Sequence, residues 1–356
     1  MSTERPTLFH VAELAGVSVA SASRALNGMV ASAQTIAKVR AAAAELGYLP
    51  DATARSLKLG HSLQLAFAVD DVGNPVYVEM MRAIESVVSG SGFRLLVSST
   101  GADPAETVGL VRSLARGYAD GLVISPQRVT DELVAELQRA AVPVVVVGSL
   151  PESAGLDTVR TDSARGVGLA VEHLRQTGRR RIGFLNGPLD TTPGAARRRG
   201  FVAAYGEAGL GPDVEAVQQV AADFTVAAGR LAALELLGRH RAPDGTLALD
   251  ALIAANDLIA FGAIHAAIEV GLRVPQDLAV VGMDNTELAD FFNPGLTSVS
   301  LGSAERGKLA AELLLARLAD PARPPRSVVV QPGLVARAST APAAEPAAPE
   351  TAGSPR

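Results

Sequence analysis

The sequence contains no cysteine. Disulfides, thiolate metal sites and cysteine nucleophiles are excluded together. It also lacks any apolar run near the ~18–20 uncharged residues that a membrane-spanning helix needs. Met1 to Pro6 is polar and no secretory apolar segment follows it, so export is not expected and a cytoplasmic setting is. Catalytic signatures are equally scarce. There is no phosphate-cradling P-loop, no G-x-G-x-x-G after a strand-like run and no G-x-S-x-G elbow. The five histidines, His10, His61, His173, His240 and His265, are isolated and show no metal-ligand spacing. Neither an enzyme nor a cofactor nor a metal is therefore expected.

What is present is apolar material for real cores. Of 356 residues 48% are hydrophobic and 19% charged, and the length implies two or more domains. The net charge of -5 argues against a nucleic-acid partner if taken alone. Its distribution is uneven, however. Residues 1–60 carry six basic and four acidic side chains, so this segment is +2 and the remainder is -7. Such an asymmetry permits a small DNA-contacting head on an acidic body without demanding one.

Thr7 to Lys58 reads as short helices. From Leu63 onward, apolar runs rich in Val, Ile and Leu alternate with helical stretches, the pattern of βαβ units and parallel sheets. Strands are expected at Leu65–Asp70, Arg94–Ser99, Gly121–Ser125, Pro143–Gly148, Arg181–Asn186, Ala251–Ala255 and Leu278–Gly282. Helices are expected at Tyr77–Val88, Thr107–Arg116, Ser163–Gln176, Thr225–Leu237 and Leu258–Val270. So many strands divide naturally between two doubly wound lobes. The Ala/Pro/Glu-rich tail, 341–356, has no periodic pattern and is expected to be disordered.

In the head, Thr7 caps a helix that runs to about Ala15, Gly16 supplies a turn, and Ser18 caps a second helix over Val19–Leu26, stopped by Asn27-Gly28. Ser32 caps a third, Ala33–Leu46, whose Ile36, Val39, Ala43 and Leu46 share one face. Two short helices around a tight glycine turn form a helix-turn-helix. The second helix would enter the major groove, with Val19 and Ala20 toward thymine methyls, Ser21 and Ser23 toward phosphates and Arg24 toward guanine. Spacing alone leaves a small three-helix bundle with a solvated arginine equally open.

The blocks Val11-Ala12-Glu13-Leu14-Ala15-Gly16-Val17-Ser18, Ser23-Arg24-Ala25-Leu26-Asn27, Glu45-Leu46-Gly47-Tyr48-Leu49-Pro50 and Ala54-Arg55-Ser56-Leu57 resemble the head of the LacI/GalR family of bacterial regulators. Ser21-Ala22 stands where Thr-Val is usual there, His10 stands where Asp is usual, and the loop from Asn27 to Thr35 is one residue short. The resemblance implies a DNA-contacting set of Ser18, Val19, Ala20, Ser21, Ser23 and Arg24, with Val19, Ala20 and Arg24 reading bases. It also implies a hinge helix within 51–61, where Ala54, Arg55, Leu57 and Lys58 meet DNA and Leu57 wedges into the minor groove. The residues themselves allow an ordinary linker there.

Residues 62–340 resemble the family's periplasmic-binding-protein-like effector domain, through Asp70-Asp71-Val72-Gly73-Asn74-Pro75, Ala255-Asn256-Asp257 and Val281-Gly282-Met283-Asp284-Asn285 among other segments. The fold class expected is thus α/β, an all-α head at 1–50 followed by two doubly wound parallel-sheet lobes. One lobe would take 62–162 and 300–326, the other 163–299 and 327–340. Ligands of such sheets sit at the carboxyl ends of strands. The effector set expected is Asp70, Asn74, Tyr77, Arg197, Phe224, Asn256 and Asp284. The resemblance makes Arg197 and Asp284 polar clamps and Phe224 a stacking face, which suits a sugar or polyol. Asp257 reads better as the cap of Leu258–Val270, Asp70 and Asp71 can serve as turn caps, and Phe224 can belong to a core. Gly148 stands where sugar-binding members often carry Asp. The expected protein is a homodimeric regulator of operator DNA controlled by a small effector. An exported solute-binding protein and a sugar-modifying enzyme are the rival readings.

Overall fold

The structure is a computed structural model that describes residues 6–26, 30–49, 61–211 and 213–341. The hinge residues Ala54, Arg55, Leu57 and Lys58, the helix stop Asn27-Gly28 and the tail beyond Ala341 lie outside the described residues.

The head holds three helices, α1 (Leu8–Ala15), α2 (Val19–Leu26) and α3 (Ala33–Leu46). Their starts are fixed by short side chains that satisfy the exposed amides of a first turn. The Thr7 amide donates to His10 Nδ1 at 3.2 Å, so the imidazole performs the accepting role of a carboxylate. Ser18 Oγ accepts from the Ser21 amide at 3.2 Å, and Ser32 Oγ accepts from the Thr35 amide at 3.1 Å. The turn between α1 and α2 passes through Gly16 at φ 65°, a left-handed conformation that a side chain disfavours. Beneath them lies a small core of Val11, Ala12, Ala22, Ala25, Val39, Ala42 and Ala43, and the alanines let the three helices approach closely.

The body holds two six-stranded sheets. The first runs in the order β11-β5-β4-β3-β1-β2, made of β1 (Gln64–Val69), β2 (Arg94–Ser99), β3 (Gly121–Ser125), β4 (Val144–Val147), β5 (Asp157–Thr161) and β11 (Ser327–Val330). Every pairing in it is parallel. The second runs β12-β10-β9-β8-β6-β7, made of β6 (Ile182–Asn186), β7 (Gln218–Val220), β8 (Ala251–Ala254), β9 (Ala279–Asp284), β10 (Thr297–Ser300) and β12 (Gly333–Val335). Only β12 pairs antiparallel there. Helices α4 (Pro75–Gly90), α5 (Pro104–Ser113), α6 (Asp131–Gln138) and α12 (Ser303–Ala319) cover the first sheet. Helices α7 (Ser163–Gln176), α8 (Thr192–Glu207), α9 (Val226–Arg239) and α10 (Asp257–Glu269) cover the second, and a short α11 (Glu287–Phe291) follows β9. Both faces of the central strands are buried, which is why β3, β4, β8 and β9 are apolar without alternation, while the edge strand β2 stays largely exposed.

The lobe boundary expected after Arg326 falls four residues too early. Ser327–Val330 pairs with β5, Val328 opposite Val159 and Val330 opposite Thr161, so these residues belong to the first lobe. The physical reason is Asp157, 1% exposed, whose carboxylate accepts from Arg317 at 3.0 Å, from Arg323 at 2.7 Å and from the Arg326 amide at 2.8 Å. That buried anchor holds the chain on the first sheet until Val330.

Close backbone contact sets the second lobe's outer layer. A Cβ on Gly262 of α10 would lie 2.2 Å from the Val226 carbonyl oxygen of α9, so only glycine lets these helices meet. Among the described residues no helix is long and apolar enough to cross a membrane.

Candidate functional site

In the head, α2 presents Ser18, Val19, Ala20 and Arg24 as exposed residues, with Ser21 half-buried. Arg24 Nη2 donates to Ser21 Oγ at 3.3 Å, a solvent-facing contact that a phosphate or base edge can replace. Ser23 departs from expectation: it is 9% exposed and sits between the core residues Ala22 and Ala25 rather than on the free face. Its short side chain is taken inward by the close helix packing, so it has little surface to offer a phosphate.

In the body, strand order decides where a ligand can sit. From β1 the chain goes to β2 on one side and returns to β3 on the other; β6 does the same between β7 and β8. At such reversals the loops part and leave a crevice beyond the carboxyl ends of the strands. A cavity of about 230 Å³ lies there, between the lobes. Two contacts join the lobes beside it. The Thr192 amide donates to the Gln127 carbonyl at 2.7 Å, and Arg128 holds Asp190 through Nε at 2.7 Å and Nη2 at 3.3 Å.

Six of the seven expected effector residues, Asn74, Tyr77, Arg197, Phe224, Asn256 and Asp284, line this cavity. Asp70 does not; it stands beside it, with the Gln127 amide 3.5 Å from its Oδ1. Partial burial pushes the Asp70 carboxyl up to about 6, against the pull of Gln127 and Arg128.

Arg197 and Asp284 face the cavity at 6% exposure each, with 3.8 Å between Nη2 and Oδ1, too long for a hydrogen bond. Burial raises Asp284 to about 7, opposed by Arg197 and then Arg306. Burial likewise lowers Arg197 from the usual guanidinium range, with Asp284 opposing. Each charge is thus incompletely compensated by the other. Arg197 Cζ lies 5.8 Å from the centre of the Phe224 ring, which adds a cation–π contact. Asp284 takes φ 107°, a left-handed strained conformation for a non-glycine residue at the end of a strand.

Asn256 is the cap of α10, a role expected of Asp257. Its Oδ1 accepts from the Ile259 amide at 2.9 Å, and its Nδ2 donates to the Phe224 carbonyl at 3.2 Å. Asn256 therefore positions the Phe224 backbone and has one amide proton left for a ligand. Asp257 is instead a buried tie, at 1% exposure. Its Oδ2 accepts from the Thr286 amide at 2.8 Å and the Thr286 hydroxyl at 2.9 Å, and its Oδ1 accepts from Ser298 at 2.5 Å. These bonds brace the loop that follows Asp284.

Sequence reasoning missed Arg306. It is not singled out there, yet on α12 it is 8% exposed and lines the cavity. Ser125, Gln127 and Thr192, also unassigned from the sequence, supply further polar groups. Among the described residues no cluster of His, Cys, Asp or Glu is placed to hold a metal ion.

Known proteins match the chain over both its head and its body. The pattern described as "Bacterial regulatory proteins, lacI family" matches residues 7–51, and that of a periplasmic binding protein-like domain matches residues 171–340. The chain is 33% identical over 335 residues to the ribose operon repressor of Escherichia coli K12, covering 94% of this chain and 99% of that one. It is 32% identical over 336 residues to the transcriptional repressor PurR of Aliivibrio salmonicida, covering 94% and 98%. The crystal structure of the Lac repressor dimer bound to operator and the anti-inducer ONPF superposes with a TM-score of 0.81 at 27% identity, over 95% of this chain and 99% of that one. These relatives are repressors rather than enzymes. The chain belongs to the LacI family of bacterial regulatory proteins and is a DNA-binding transcription regulator.

Proposed function

We propose that the protein is a cytoplasmic homodimeric repressor that binds a near-palindromic operator and is controlled by a sugar-like effector held between the lobes. The observation that carries the reading is the free face of α2, where Val19, Ala20 and Arg24 stand exposed on the second helix of a helix-turn-helix. Apolar side chains and one long cation suit thymine methyls and a guanine edge, and a bidentate arginine contributes about 1–3 kcal/mol of base discrimination. Two-fold symmetry of the protein would set the spacing of half-sites. The effector reading is supported by the inter-lobe cavity with its aromatic face, Phe224, and its polar groups at Arg197, Asn256 and Asp284. The effector acts by binding one lobe arrangement better than another, and a coupling of about 1–3 kcal/mol suffices for a useful switch.

Selection of full-length chain on randomised duplexes tests this. Parent protein is expected to enrich one palindromic sequence. Arg24→Ala should lose that preference and keep its effector response, whereas Arg197→Ala should keep the operator and lose the effector response. A parent chain with no sequence preference, with or without candidate metabolites, overturns the proposal.

A further inference from the structure

The unassigned member of the cavity, Arg306, decides the chemistry of the ligand. It comes from the first lobe, on α12, whereas Arg197 comes from the second, on α8. Both guanidinium groups are more than nine-tenths buried and both line the cavity. In each, Nε is buried with no hydrogen-bond partner. Arg306 Nη2 reaches only Ser303 Oγ, at 3.5 Å, and no ion pair reaches Arg306 among the described residues. Among the described residues Arg197 has no hydrogen-bond acceptor, only the distant Asp284 oxygen and the face of the Phe224 ring. Burying a guanidinium without partners is costly, and native structures avoid it unless something else completes the site.

The charge balance points the same way. Arg160, Arg197, Arg199 and Arg306 line the cavity against Asp162 and Asp284. Arg160, Arg199 and Asp162 are exposed at the rim, which leaves two buried cations facing one buried carboxylate. Burial makes that carboxylate hard to ionise, as it does Asp257 behind it, whose oxygens are already taken by Thr286 and Ser298, so the uncompensated charge facing the cavity is positive. A guanidinium is a planar fork matched to two oxygens of a carboxylate or phosphate. The remaining groups, the Phe224 ring, the free Asn256 amide proton and Asp284, suit hydroxyls and the face of a sugar ring.

We propose that the effector is a monosaccharide-sized polyhydroxy anion, a sugar acid or a sugar phosphate, whose oxyanion bridges Arg197 of one lobe and Arg306 of the other. This rests on the reading of the cleft as the effector site. The cavity, about 230 Å³, lies below the ~300 Å³ at the lower end of ligand pockets, so the occupant is small. An anion held by one arginine from each lobe ties the lobes together, which gives the charge a direct part in the switch.

The test uses full-length protein with its operator duplex. Matched probes are neutral monosaccharides, their aldonates and uronates, and their phosphate esters, read by thermal shift, calorimetry and operator release. At least one anionic probe should raise the melting temperature where its neutral parent does not, and the carboxylate and phosphate arms distinguish the two sources. Arg306→Leu should weaken that probe by about tenfold or more, since charge-assisted bonds contribute about 1.5–3 kcal/mol. The same variant should raise the melting temperature of ligand-free protein, because an unpartnered buried cation is removed. A neutral sugar that binds, is lost in Arg197→Ala and is untouched by Arg306→Leu overturns the anion proposal and leaves the cleft reading standing. A probe whose binding survives both substitutions overturns the cleft reading itself. A panel in which no anion has any effect counts against the anion proposal.

Discussion

Gly187, directly after β6, is the residue on which the shape of the cleft turns, and it offers a test that needs no knowledge of the effector. A Cβ on Gly187 would lie 2.2 Å from Phe224 Cε1, 2.3 Å from Cζ and 2.8 Å from Cδ1. Carbon atoms prefer about 3.5 Å or more, so the ring would have to retreat by about 1.3 Å. Neither backbone can yield easily. The Gly187 amide donates to Asn186 Oδ1 at 2.9 Å, and the Phe224 carbonyl accepts from Asn256 at 3.2 Å while its amide donates to Asp223 at 2.7 Å. The ring itself must therefore swing, away from its contact with Arg197 or into the cavity. Overpacking of this kind costs about 1–3 kcal/mol. For a body of this size that is a fall in melting temperature of about 2–10 °C.

Scanning calorimetry of Gly187→Ala, Phe224→Ala and the double variant checks the argument. Phe224→Ala alone is destabilising through the space it empties, by about 3–5 kcal/mol. In that background the new methyl meets no ring, so Gly187→Ala should be nearly neutral, and the cycle should show a coupling of about 1–3 kcal/mol. Phe224→Leu serves if Phe224→Ala does not fold. An unchanged melting temperature for Gly187→Ala, or an equal cost in both backgrounds, refutes the reasoning.

Asp257, raised from 3.8 to about 6 mainly by burial, is easier to protonate folded than unfolded, so its ionised form costs stability as pH rises from about 4 through 6. Asp257→Asn has no such cost. Urea titrations should show its stability relative to the parent improving by about 2 kcal/mol between pH 4 and pH 7, since each tenfold difference in proton affinity is worth about 1.36 kcal/mol and part of the change lies below pH 4; a flat difference would sink the assignment. Arg128→Ala and Asp190→Ala remove a bridge beside the cleft whose side chains are 23% and 65% exposed, so solvent screening limits the effect to about 1 kcal/mol or fivefold in effector affinity. That loss should fade at high salt, and tighter effector binding in either variant would contradict the bridge's role.

The parts of the fold legible in the sequence are those where burial is achieved by apolar side chains alone. Val144–Val147 and Ala251–Ala254 declare themselves, and the three helices of the head follow from their serine, threonine and glycine ends. The strands that sequence reasoning passed over, Asp157–Thr161, Gln218–Val220, Thr297–Ser300, Ser327–Val330 and Gly333–Val335, are short, polar or at sheet edges. Thr297 and Ser298 are fully buried because their polar atoms bond Ser339, Thr340 and Asp257, all about forty residues away in sequence. No local pattern announces partners at that separation. The same holds for Asn256 and Asp257: either could cap α10, and only the position of Thr286 and Ser298 turns Asp257 inward.

Arg306 was illegible for a related reason, and it bears on how the switch works. Its neighbour Gly307 brings α12 so close to α4 that a Cβ would lie 2.6 Å from the Met80 carbonyl oxygen. That close crossing carries the arginine into the cleft, where a looser helix pair would leave it in water. The cleft consequently collects Tyr77 and Arg306 from one lobe and Arg197, Phe224, Asn256 and Asp284 from the other. A ligand that touches both sets gains its full binding energy only while the lobes stand together, as they do with Gln127 bonded to Thr192 and Arg128 to Asp190. Its affinity for that arrangement must exceed its affinity for any other by the whole coupling energy. The buried charges from both lobes are the groups whose surroundings change most when the lobes part, because water then reaches them. They are therefore where most of the difference between the two states should arise.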